Sequence, residues 1–149
     1  MRTCLIALLC LATTASAAQP WKTLPPTPTL PKAEHSGFAA VNGVKIWHAE
    51  FGSGAPVLLV HGGLANASYF GHQVRALVAA HYRVIVMDSR GHGRSSRNAE
   101  PFGYDLMASD VLALLDDLKL DKVALVGWSD GAIIGLDIAM HHPERKSVV

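Results

Sequence analysis

Beyond residue 10 the chain has no cysteine, because both of its thiols, Cys4 and Cys10, fall in the first ten of 149 positions. The rest of the chain can therefore build no disulfide, no thiolate metal site and no cysteine nucleophile. Its fold must rest on core packing. Charge is sparse as well. Charged residues are 17% of the sequence and the formal net charge is +1, which excludes the basic excess of a nucleic-acid binder. No apolar run reaches membrane-spanning length; Cys4 to Ala12 has about ten residues where a span needs about twenty. Histidines at ligand spacing such as His-x-x-x-His are also missing, so neither a metal nor a cofactor is expected.

What the chain does have begins with an export signature. Met1-Arg2-Thr3, the apolar run to Ala12 and Ala15-Ser16-Ala17 give a cationic start, a short apolar core and a small-residue cleavage site. Residues 1–17 are read as a leader that is removed, leaving a periplasmic or secreted protein with no stable membrane anchor. Five of the eight prolines (Pro20, Pro25, Pro26, Pro28 and Pro31) then crowd into the next stretch. That composition predicts an extended tether over 18–37, with the folded domain occupying 38–149.

Within the domain, Phe38–Val41 and Val44–Phe51 flank Asn42-Gly43, a hairpin signal, because Asn-Gly accepts the positive φ angles of a tight turn. Apolar runs follow at 56–60, at 84–87 after Arg83, and at 123–126, as expected of strands buried on both faces. Between them lie helical patterns. Phe70, Val74, Leu77 and Val78 share one face after a possible Ser68 cap, and Met107, Val111, Leu114, Leu115 and Leu118 share another after a possible Asp105 cap. A third apolar helix runs from Ala132 to Met140. A hairpin followed by alternating strands and helices means an α/β fold, with a mostly parallel sheet covered by helices on both faces. Ligands bind such sheets at the carboxyl ends of the strands.

Three glycine-rich stretches occupy those ends: His61-Gly62-Gly63 after Val60, Asp88-Ser-Arg-Gly-His-Gly-Arg-Ser95 after Met87, and Gly127-Trp-Ser-Asp-Gly131 after Val126. The last matches G-x-S-x-G, in which a strand turns into a helix so abruptly that the positions flanking the turn must lack bulk. In order and separation the three resemble the α/β-hydrolase family from about Val41 to Val149. The resemblance implies a serine hydrolase acting on a small-molecule acyl substrate, with Ser129 as nucleophile. The backbone N–H groups of Asp130 and Gly63, or less favourably Leu64, would hold the oxyanion.

By the same resemblance, His61 and His92 shape their loops rather than act as bases. Trp128 and Leu64 are candidates for lining the acyl pocket, although an aromatic beside such a turn is as often core packing. Epoxide hydrolases and dehalogenases of this fold carry a carboxylate at the position of Ser129. A serine there points instead to an ester, thioester, lactone or amide. The family's triad continues with an acid and then a histidine at strand ends beyond the nucleophile, whereas the histidines after Ser129 here, His141 and His142, read as a helix end stopped by Pro143. Asp110, Asp116, Asp117 and Asp137 fall on helices and are poor substitutes. The expectation is an N-terminal portion of the fold, with the C-terminal half missing and little activity of its own. The alternatives are a non-catalytic ligand-binding protein of the same fold, or a truncated product without function. Oligomeric state is unreadable at this level.

Overall fold

The computed structural model describes residues 26 and 28–148; the leader and its cleavage site lie outside them. Six strands form one sheet: β1 (His35–Val41), β2 (Val44–Phe51), β3 (Ala55–Val60), β4 (Tyr82–Met87), β5 (Val123–Gly127) and β6 (Lys146–Val148). Their spatial order is β1-β2-β4-β3-β5-β6. β1, β2 and β4 pair antiparallel, whereas β4, β3, β5 and β6 run parallel. The expected hairpin is present, and Asn42 and Gly43 turn it with φ of 44° and 72°.

Three helices cover the sheet, α1 (Gly71–Ala79), α2 (Tyr104–Asp117) and α3 (Asp130–His141). Strand side chains alternate between the two faces, as a two-residue period requires. Leu58, Val60, Ile85 and Met87 pack with Val111, Leu114 and Leu115 of α2 and Ile134 and Ile138 of α3. Val57, Leu59, Val84 and Val86 pack with Phe70 and Val74 at α1. Helices on both faces and a mostly parallel sheet are the architecture the residue pattern predicts. Among the described residues no helix is long and apolar enough to cross a membrane.

Three local expectations change. Asn66, not Ser68, caps the entry to the first helical segment, its Oδ1 accepting from Ser68 N at 2.9 Å. Gly103 occupies the cap position of α2 with no side-chain bond, and Asp105 lies in the first turn instead. The proline-rich stretch also stops being a tether well before residue 38. Leu30 and Ala33 pack against the α1-side core, Arg75 Nη1 donates to the Thr29 carbonyl at 3.1 Å, and Glu34 N donates to the Glu50 carbonyl at 3.0 Å. Strand pairing then starts at His35. A proline-rich stretch with apolar side chains between its prolines can still lie along a sheet and helix.

Candidate active site

The sheet register brings the three glycine-rich loops together. Val60 pairs with Met87 on one side and with Gly127 on the other, so three parallel strands finish in one row. A hydrogen bond from Trp128 N to the Val60 carbonyl, 3.0 Å long, ties the β5 end to the β3 end.

Directly after that row, Ser129 has φ 53° and ψ −117°, and Asp130 opens α3. Positive φ in a non-glycine residue is strained, by about 1–3 kcal/mol, and persists only where its surroundings enforce it. The enforcement here is visible in the two flanking glycines. A Cβ on Gly131 would collide with the Val60 carbonyl, and one on Gly127 with the Gly131 carbonyl and Ala132 N. As the first residue of α3, Asp130 carries an N–H without an intrahelical acceptor. The loop after β3 lies against this turn: a Cβ on Gly62 would sit 3.0 Å from Ser129 Cβ, and one on Gly63 would sit 2.5 Å from Asp130 Oδ2. Ser129, Gly63 and Asp130, predicted separately from two motifs, are therefore neighbours. Leu64, in the same loop, has φ 60° and is almost wholly exposed.

The remaining motif residues act as scaffold. His61 is buried; its Nε2 accepts from Ser89 N at 3.0 Å and its Nδ1 lies 2.7 Å from the Gly62 carbonyl. Those partners assign the neutral Nδ1–H tautomer, which joins the first loop to the second. Asp88, fully buried, accepts from Ala67 N, Arg94 N and Arg94 Nη1 at 2.8–2.9 Å. Arg94 in turn lies 3.7 Å over the Trp47 ring. Arg90 points inward and meets Asp110 of α2 with two bonds, 2.5 and 2.7 Å long, both side chains being buried. Asp110 is thus committed to Arg90, in keeping with its rejection as a catalytic acid. His92 donates from Nδ1 to the Arg90 carbonyl at 3.0 Å.

Three cavities adjoin the turn, one of them lined by Leu125, Val126, Gly127, Ala132, Gly135 and Leu136. Trp128 lines a second, of about 320 Å³, with Tyr69, Phe70 and Gln73, its ring 5.9 Å from that of Tyr69. The third, also about 320 Å³, is lined by Asp130, His92, Phe102, Gly103, Tyr104 and Met107. Tyr104 donates its hydroxyl to Asp130 Oδ1 at 3.1 Å, and that bond to a carboxylate is the main cause raising its pKa. Neither Phe102 nor Tyr104 carries a motif signal. Only the fold brings the start of α2 to the start of α3. Among the described residues, no group of three or more His, Cys, Asp or Glu side chains is placed to hold a metal ion.

Comparison with known proteins agrees with this fold. The model of the alpha/beta hydrolase fold matches residues 55–148. The chain belongs to the α/β-hydrolase family. It is 31% identical to bifunctional epoxide hydrolase 2 of Sus scrofa, over 85% of this chain and 23% of that protein. It is 40% identical to a non-heme chloroperoxidase of Kitasatospora aureofaciens, over 60% of this chain and 33% of the relative. The crystal structure of the enol-lactonase from Burkholderia xenovorans LB400 superposes with a TM-score of 0.72 at 32% identity, covering 75% of this chain and 45% of that one. The chain thus spans less than half the length of each of these relatives.

In this α/β-hydrolase chain the buried histidines have a consequence for stability. Burial is the largest influence on His48 and His61 and lowers the pKa of both; Glu50 and Asp117 oppose it at His48, and the Gly62 carbonyl opposes it at His61. A lowered folded-state pKa means the unfolded chain takes the proton first. Their contribution to stability is complete above about pH 6.5, the ordinary histidine value, and is lost as pH falls from there through the folded-state values. Thermal unfolding followed by circular dichroism should give a Tm that drops between pH 7 and pH 5. A Tm that rises over that interval would contradict the buried, neutral state of these rings.

Proposed function

We propose that the protein is a serine hydrolase that cleaves an ester, thioester, lactone or amide through an acyl-enzyme on Ser129. The observation that carries this reading is the strained turn: a hydroxyl held at positive φ, at the common end of three parallel strands, beside the free N–H of a helix N-terminus. Ser129 Oγ attacks the acyl carbon, and the carbonyl π electrons move to its oxygen. The N–H groups of Asp130 and Gly63 receive that oxyanion. Each such donor contributes about a hundred- to a thousandfold in rate. Collapse of the tetrahedral adduct expels the alcohol, thiol or amine and leaves the acyl group on Ser129, which water then removes. The Ser129 proton passes to a general base and from it to the leaving group; in this family that base is a histidine oriented by an acid, both later in the chain than the nucleophile. Without that base and acid the turn by itself should convert little substrate.

The relatives divide by chemistry: one is an epoxide hydrolase and another an enol-lactonase. Serine at the turn favours the acyl reaction. Epoxide opening on a serine would leave an ether that water does not cleave, whereas an ester intermediate hydrolyses readily. Kinetics of the full-length protein on a p-nitrophenyl ester, a simple lactone and styrene oxide test this choice. The ester or lactone should be hydrolysed and the epoxide should not. Catalytic epoxide turnover without ester or lactone hydrolysis would refute the proposal. Export to the periplasm or the medium is proposed on the leader pattern of residues 1–17.

A further inference from the structure

The cavity beside Asp130 has an unusual lining for a site next to a developing negative charge. Its walls are the rings of His92, Phe102 and Tyr104 and the side chain of Met107, and its one carboxylate is that of Asp130. His92 and Phe102 meet edge to face, 6.3 Å apart and inclined at 71°. Asp130 Oδ1 accepts from the Tyr104 hydroxyl, while Oδ2 lies toward Gly63. Among the described residues Asp130 has no lysine, arginine or histidine in ion-pair contact. Arg97, whose guanidinium is 5.8 Å from the Phe102 ring centroid, is not part of the lining.

An acidic residue in the first turn of a helix gains about 0.3–1 kcal/mol from the helix dipole whichever way its side chain points. That benefit does not require a carboxylate turned into an aromatic cavity, nor a tyrosine holding it there. It also comes at a catalytic disadvantage. A negative charge one residue from the nucleophile opposes the oxyanion that forms during attack, and a positive charge on the substrate would offset it in addition to the protonated general base.

We propose that the substrate carries a positively charged ammonium group, seated between the Asp130 carboxylate and the rings of Phe102 and Tyr104. The carboxylate supplies Coulomb attraction and the ring faces supply cation–π attraction. A neutral group of the same shape would receive neither, and an anionic one would be repelled. Because Asp130 adjoins Ser129 in the chain, the ammonium lies a few bonds from the reacting carbonyl. The natural class is thus esters or lactones of amino or quaternary ammonium compounds. What happens after binding rests on the hydrolase reading above; the binding itself does not.

Choline and 3,3-dimethylbutan-1-ol have the same shape and differ in charge, which makes them suitable probes. Calorimetry on the full-length Ser129→Ala protein should show choline binding at least tenfold more tightly. Adding Asp130→Asn should bring the two within about twofold, and Phe102→Leu should reduce the preference severalfold while leaving the carboxylate in place. In the unmodified protein, the butyrate esters of the two alcohols should differ in kcat/KM in the same sense. Equal affinities, or a preference that survives Asp130→Asn, would overturn the proposal. A preference in binding with neither ester hydrolysed would leave the ammonium site standing and remove the hydrolase reading instead.

Discussion

Replacing Ser129 by alanine should lower ester or lactone hydrolysis by the full-length protein by about four to six orders of magnitude. The residual rate would come from the two N–H donors and from binding, neither of which needs the hydroxyl. Stability should change little, because the Ser129 side chain is exposed and the turn is enforced by the Val60 carbonyl and the start of α3. The comparison is therefore clean: circular dichroism should give a near-unchanged Tm while kcat collapses. Loss of tenfold or less in kcat/KM would place the nucleophile elsewhere. If activity fell only in parallel with Tm, Ser129 would be a folding residue and not a reacting one.

The second large effect lies in the buried pair between Arg90 and Asp110. Truncating Asp110 to alanine leaves a guanidinium with about 2% of its side chain exposed and no counter-charge. An unpaired buried charge of this kind costs about 3–5 kcal/mol. Asn42 Nδ2 loses an acceptor as well, since it donates to Asp110 Oδ1 at 3.0 Å, and with it the β1–β2 hairpin loses a tie to α2. For a domain of this size the expected fall in Tm is about 10–20 °C. Replacing both partners by apolar residues, Arg90→Met with Asp110→Leu, should cost much less than the single change, because no charge is then stranded. A double variant as unstable as Asp110→Ala would show that the pair does more than neutralise itself.

Much of the site was legible because its chemistry is carried by short-range signals. Gly127 and Gly131 flank a serine at the junction of an apolar run and a helical pattern, and that junction alone predicts the strained turn found at Ser129. The convergence of Gly63 on Asp130 followed from a topological rule, since parallel strands must end on one edge. The cavity walls escaped because Phe102 and Tyr104 belong to a loop and a helix start whose approach to α3 is purely tertiary. Arg90 was recognisable as a motif residue, yet several aspartates on helices offered it equivalent partners in sequence. Only packing on the α2 side selects Asp110. The segment around Leu30 and Ala33 was misread for a different reason. Proline count reports backbone conformation, whereas attachment to the core depends on the apolar residues between the prolines.

Covalent capture of the hydroxyl probes the main claim most directly. The full-length protein would be incubated with a fluorophosphonate, digested, and the modified peptide located by mass spectrometry. The adduct should sit on Ser129, form at a rate set by an activated nucleophile, and vanish in the Ser129→Ala protein. An unlabelled Ser129, or a label on a different serine that persists in that variant, would contradict the assignment of this turn as the reacting centre.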